Sequence, residues 1–139
     1  MQLTSMPSHP NPDSLHVIYI SHLAPDEDDR AFDAVCQIAR AVNPSLGVGG
    51  ALLFDGKRFC QWLHGSAESV SALLTAIALD RRHVNFKLLY LGGHDFTPAI
   101  SSWCSGVVPP FTLDEMDNKK MGSAQVLPMF MNALSAVLF

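Results

Sequence analysis

The sequence predicts an α+β fold, and three observations carry that prediction. Short runs rich in β-branched and aromatic residues alternate with two longer stretches whose apolar residues recur at helical spacing. A two-residue hairpin signal, Asp55-Gly56, sits between two of the short runs. The order that results is βαββαββ followed by a helical tail, a split βαβ with a central hairpin.

The elements follow in order. His16 to Ser21 contains Val-Ile-Tyr-Ile and reads as the first strand. Asp26 to Val42 reads as a helix: acidic residues crowd its first turn, and Phe32, Val35, Cys36, Ala39 and Val42 share one face. Pro44 is expected to end it and to push Asn43 out of the α region. Val48 to Phe54 and Lys57 to His64 form the hairpin around Asp55-Gly56. Ser66 is the expected N-cap of a second helix, with Val70, Leu73, Leu74 and Ile77 as its apolar stripe. Phe86 to Leu91 is a fourth strand and Trp103 to Val108 a fifth. Met121 to Phe139 reads as helical, with a kink or start near Pro128. This is the ferredoxin-like arrangement, with both long helices on one face of a single sheet and a C-terminal helical extension. The other face would carry Ile18, Ile20, Cys60 and Trp62. It is too apolar to stay wet, so the tail is its expected cover, from the same chain or a partner subunit.

Length and composition fit one globular domain. The chain has 139 residues, 48% of them hydrophobic and 16% charged. Residues 1–14 read as a flexible arm, 15–108 as the domain and 109–139 as the helical tail. The arm lacks the cationic start of a signal peptide. A net charge of −4 argues against nucleic acid as a partner. The uncharged stretch after Lys120 is interrupted by polar residues and too short to span a bilayer, so no membrane partner is expected. Three separated cysteines, Cys36, Cys60 and Cys104, suggest neither a zinc site nor a disulfide framework, and point to a reducing cytoplasm. His64 alternates to the outer face, where a surface or interface histidine is the simpler reading than a metal ligand.

Three polar residues stand out against this frame. Gln61 lies inside Phe59-Cys60-Gln61-Trp62-Leu63, a run that otherwise reads as a buried strand. An unpaired carboxamide there would cost roughly 1–3 kcal/mol. Strand alternation aims it at the layer between sheet and helices. Tyr19 points into the same layer from the first strand, and Asn43 ends the first helix. Each could be satisfied locally, the phenol by a carbonyl and Asn43 as a cap. Together, a phenol and two amides are a plausible lining for a flat ligand with alternating donors and acceptors.

These residues resemble a family. Val17-Ile18-Tyr19-Ile20-Ser21, Ala39-Arg40-Ala41-Val42-Asn43, Leu46-Gly47-Val48-Gly49-Gly50-Ala51-Leu52-Leu53-Phe54, Phe59-Cys60-Gln61-Trp62-Leu63-His64-Gly65 and Asp80-Arg81-Arg82-His83 are similar, in order, to the BLUF domains, blue-light sensors that use a flavin. The resemblance spans roughly residues 15 to 108. It implies a photoreceptor rather than an enzyme, with FAD (or FMN) bound without a covalent link between the two helices. Tyr19, Asn43, Gln61, Arg82 and His83 would contact the flavin, and Tyr19, Gln61 and Trp103 would form the photoactive switch. The signal would pass to a separate downstream protein or to the assembly state of a homo-oligomer. The chain departs from the family where Ser105 takes the place of a usual Met and Val42 that of a polar residue. Ser105 and the altered stretch Phe96 to Gly106 entering the last strand support an alternative, an interaction module that binds flavin with weakened or lost light signalling. A small acylphosphatase-like enzyme fits poorly, because acidic residues follow Ser21-His22-Leu23-Ala24-Pro25 where an anion-cradling loop and an Arg are needed.

Overall fold

The computed structural model describes residues 14–93, 103–117 and 122–138, so the arm predicted for residues 1–14 lies outside them except for Ser14. Strand β1 (Ser14–Leu23) lies at the heart of one sheet with β2 (Gly49–Phe54), β3 (Arg58–Ser66), β4 (His83–Gly92) and β5 (Trp103–Val107), in the order β4-β1-β3-β2-β5. The β4-β1-β3-β2 part is antiparallel throughout and has the ferredoxin-like order; β5 adds a parallel strand beside β2. Val17 to Ile20 are all at most 3% exposed, as expected for a central strand covered on both faces. The register pairs Tyr19 and Leu52 with Gln61 from either side, and Ile18 with Trp62. Because strand side chains alternate, this pairing commits Tyr19, Gln61 and Leu52 to one face and Ile18, Ile20, Cys60 and Trp62 to the other.

Helices α1 (Arg30–Val42) and α2 (Ala67–Ala78) cover the first face. Helix α1 starts at Arg30, four residues later than the acidic run suggested. Asp28 Oδ1 accepts from the Arg30 backbone N–H at 3.0 Å, so the short acidic side chain holds a turn instead of entering the helix. The reading of Asn43 also needs correction. It stays in the right-handed α region (φ −60°, ψ −43°), because Pro44 opens a 3₁₀ turn (Pro44–Leu46) instead of breaking the path. That turn lets the Asn43 carbonyl accept from Leu46 and Val48, while its own N–H bonds Ala39. The hairpin closes one residue later than predicted: Asp55 N–H bonds the Arg58 carbonyl at 3.2 Å, and Gly56 takes φ +95°. Ser66 caps α2, its hydroxyl accepting from Ser69 N–H at 3.1 Å. Helix α2 ends at Ala78, so Arg82 lies in the following turn and His83 opens β4; neither belongs to the helix C-terminus.

Two helices of the same chain cover the apolar outer face, α3 (Pro110–Met116) and α4 (Ser123–Leu138). Leu113, Met116, Val126, Leu127, Phe130 and Leu134 pack on Ile18, Ile20, Cys60 and Trp62 in one buried cluster. Sequence reading missed α3, a helix too short to show periodicity. Helix α4 begins before Pro128 and runs through it. An ion cluster fastens α3 to the sheet: Arg58 bonds Asp55 at 2.9 Å and Asp114 at 2.6 Å, and Lys87 pairs with Asp117. His64 lies on this outer face, against Trp62 and His16. Among the described residues no helix is long and apolar enough to cross a membrane.

Candidate functional site

Gln61 meets Tyr19 directly. The Tyr19 hydroxyl donates to Gln61 Oε1 at 2.6 Å, and both residues are at most 3% exposed. The bond is between cross-strand partners in register, so the sheet itself holds the two side chains next to each other. The Tyr19 ring stacks on Phe86 at 4.7 Å, which fixes its tilt. Burial above all, reinforced by nearby Cys60 and Asp80, pushes the phenol well above its ordinary range, so its proton stays on at neutral pH. A short bond in a dry layer is electrostatically strong, and any change in the carboxamide is felt by the phenol.

Above this pair runs a cleft between α1 and α2. Its floor holds Gln61 and Asn43, its walls are Val35, Ile38, Ala39, Val42, Leu73 and Ile77, and Asp80 stands at one end. Asn43 is 1% exposed, yet among the described residues no group accepts from its Nδ2. A buried amide donor without an acceptor is costly, and it faces a space where a ligand carbonyl could serve. The apolar walls are also left uncovered: Ile38 is 47% exposed and Val42 37%. A flat aromatic heterocycle bearing carbonyls matches the chemistry of this donor and these apolar walls. The cleft measures about 70 Å³ and continues into a recess of about 30 Å³, well below the volume of a cofactor site. Helices α1 and α2 scarcely touch one another, so parting them to admit a ring sacrifices little packing.

The recess is lined by Val35, Phe59, Ile77, Asp80, Arg82 and His83. His83 is held at both nitrogens. Its Nε2 lies 2.6 Å from the Ile77 carbonyl, which can only accept, so Nε2 carries the hydrogen; Nδ1 lies 2.6 Å from the hydroxyl of buried Ser21. The ring thereby ties the end of α2 to β1 and stands edge-on to Tyr19. Arg82 pairs with Asp80 at 2.8 Å at the mouth of the recess. Sequence reading singles out Arg82 and His83. It assigns no role to Asp80, which lines both spaces, or to Ser21.

Trp103 sits apart from the Tyr19–Gln61 bond. It packs under α1 with Cys36, Ala39 and Leu52, 9% exposed, and its Nε1–H finds no acceptor among the described residues. Ser105 pairs with Leu52, the other neighbour of Gln61 in register. Burial pushes the Cys36 thiol up, and a hydrogen bond with Ser105 partly offsets this. That contact links α1 to β5. Nothing in a sequence pattern pairs Cys36 with Ser105; it depends on the parallel register of β5.

Fold and site together define a small-ligand domain whose floor is a buried phenol–carboxamide pair. A family model for BLUF, sensors of blue light using FAD, matches residues 15–95, and the chain belongs to that family. The blue light- and temperature-regulated antirepressor BluF of Escherichia coli (strain K12) is 37% identical over 83 residues, covering 60% of this chain and 20% of that protein. The chain thus spans about one fifth of that relative's length. The dark-state structure of BlrB, a BLUF protein, has a TM-score of 0.71 and 19% identity over 89% of this chain and 96% of that one, a likeness of fold. The photo-activated state of BlsA has a TM-score of 0.70 and 25% identity, covering 86% and 92% of the two chains. Klebsiella pneumoniae BlrP1, solved with FMN and cyclic diGMP, has a TM-score of 0.59 and 28% identity over 69% of this chain and 26% of that one.

Proposed function

We propose that this chain is a blue-light photoreceptor that holds FAD, or FMN, without a covalent bond in the cleft between α1 and α2. When bound, the flavin supplies blue-light absorption and an excited state that accepts an electron. Asn43 Nδ2 would donate to the polar edge of the ring, and the Gln61 carboxamide would hold it from the floor. Tyr19, a neutral phenol, would be the donor of an electron and a proton beside the ring and would recover both on return to the ground state, so no net oxidation results. Gln61 would then rotate or change tautomer, presenting a donor end to Tyr19 where it now presents its acceptor Oε1. Arg82 with Asp80 guards the open end, and His83 positions Tyr19 from the side. The altered carboxamide biases β3 and its neighbour β2, and through them β5 with Trp103 and the Cys36–Ser105 contact. Residues 15–108 form this unit, with residues 109–139 carrying the change outward. The output is a change in binding to a separate protein, or in assembly, in a reducing cytoplasmic setting, with no substrate turned over. The antirepressor name of the Escherichia coli relative favours a protein partner.

One observation carries this reading: a 2.6 Å bond from a buried phenol to a carboxamide, beside a buried amide donor that has no acceptor among the described residues. Purified protein supplied with FAD should turn yellow, and blue light should shift the flavin band reversibly to the red. A protein that stays colourless with either flavin refutes the reading. Ser105, standing where the family usually has Met, favours a second one, a flavin-binding interaction module with muted signalling. It is distinguished by bound flavin with no light-dependent change in partner affinity.

A further inference from the structure

The cleft between α1 and α2 has one charged end. Its walls are apolar, and Asp80 stands where they stop. Asp80 and Arg82 both line the recess beyond, and Arg82 also borders a hollow of about 390 Å³ at the start of α1. Cleft, recess and hollow thus follow one another through shared residues. A ring whose polar edge meets the orphaned Asn43 Nδ2 has a polar exit for a hydroxyl-bearing side chain here, past Asp80 and Arg82.

The hollow is short of free cations. Asp26, Glu27 and Asp28 line it together with Arg30 and Arg82. Both guanidiniums are already engaged. Arg30 forks onto Asp28, its Nε and Nη2 donating at 3.1 and 2.9 Å. Arg82 donates to Asp80 at 2.8 Å from its guanidinium and at 3.0 Å from its backbone N–H. Asp26 and Glu27 enter no ion pair among the described residues. With Asp80, four carboxylates face two guanidiniums, an excess of two negative charges. The start of a helix ordinarily attracts an anion through its open N–H groups. Here Asp28 Oδ1 accepts from the Arg30 N–H at 3.0 Å, so a carboxylate already holds that place.

We infer that the hollow receives the side chain of the flavin and that its acidic lining selects against phosphate, so that uncharged riboflavin binds more tightly than FAD, and FAD more tightly than FMN. The inference rests on the flavin reading above and deepens it. Hydroxyl groups of the side chain can donate to Asp80 without breaking its pair with Arg82. A phosphate finds no guanidinium to spare: drawing Arg82 across strips Asp80 of its cation, and Asp26 and Glu27 repel the newcomer. FMN ends in a phosphate monoester of charge roughly −1.5 to −2 at neutral pH, and suffers most. The first phosphate of FAD, bridged on both sides, carries a single charge at the same place. The residues that discriminate lie outside the floor of the cleft, so the contacts to the ring are the same for all three flavins.

Equilibrium dialysis of the flavin-free chain in the dark against riboflavin, FAD and FMN, at low and high salt, tests this. At low salt riboflavin should bind about tenfold more tightly than FMN, with FAD between them. At about 1 M salt, where charges are screened within about 3 Å, the ratio should fall to about twofold or less. Asp26→Asn combined with Glu27→Gln, both exposed positions, should lower the riboflavin-to-FMN ratio at least about threefold at low salt, with circular dichroism confirming the fold. FMN that binds as tightly as riboflavin at low salt, or a ratio that salt or the double variant leaves unmoved, overturns the inference and leaves the flavin reading standing. A chain that takes up none of the three overturns both.

Discussion

Removing the two ends of the buried bond separately and together gives a quantitative test of the site. Tyr19→Phe deletes the hydroxyl and leaves Gln61 Oε1, in a residue 2% exposed, without its donor. Gln61→Leu leaves the Tyr19 hydroxyl without its acceptor. Each single change strands one buried polar group, which costs about 1–3 kcal/mol. The double variant strands neither and swaps a polar pair for apolar groups of similar shape, a change that is nearly neutral. The singles should therefore overshoot the double, with a coupling equal to the two single costs together, about 2–6 kcal/mol. For a chain of 139 residues, each kilocalorie corresponds to a shift in Tm of roughly 3–5 °C. Urea unfolding of flavin-free protein in the dark measures the cycle, and a constant m-value ensures that stability alone has changed. Additive single effects would refute the reasoning, because they would mean the two side chains do not depend on each other in the dry layer. With flavin supplied, both singles should stay yellow and lose the light-induced shift.

Other perturbations probe the frame around that bond. Gly50 takes φ +143°, and a Cβ there would lie 1.8 Å from the Trp62 carbonyl oxygen, so Gly50→Ala should cost at least about 3 kcal/mol in urea unfolding or prevent folding outright. Arg58→Met leaves the Asp55 carboxylate, with a side chain 2% exposed, without its cation; about 2–3 kcal/mol should be lost, with faster amide exchange in α3 than in β1. The Tyr19 phenol has a raised pKa when folded, so its contribution is complete below pH 10, the ordinary tyrosine value, and is lost as pH rises above it. Stability should fall by about 1.4 kcal/mol per pH unit from this group above that point. Tyr19→Phe should remove this slope.

The sheet was legible because its strands obey simple rules. Val17 to Ile20 is continuous and apolar, as a central strand must be, and alternation alone placed Gln61 opposite the tail and facing the helices. The apolar outer face predicted a cover, and α4 is part of it. Boundaries that depend on side-chain bonding were harder to read. Asp28 can cap a turn or sit in a first helical turn, and only its bond to the Arg30 N–H decides between them. Pro44 can break a helix or open a 3₁₀ turn, and the carbonyl bonds of Asn43 decide that case. At the site, Tyr19, Gln61 and Asn43 were visible as polar residues in apolar surroundings. Asp80, Ser21 and Cys36 were not, because each draws its place from partners far away in sequence, such as Ser21 with His83.

Infrared difference spectroscopy of the flavin-loaded protein, light minus dark, with heavy nitrogen in the glutamine side chains, addresses the carboxamide itself. The chain has four glutamines, Gln2, Gln37, Gln61 and Gln125; Gln37 on α1 and Gln125 on α4 are exposed, so in a Gln2→Ala background a light-sensitive amide signal should arise from Gln61. Bands that move with the glutamine label, together with bands that move with ring-labelled tyrosine, are the predicted result. Light-induced bands indifferent to both labels would contradict the account.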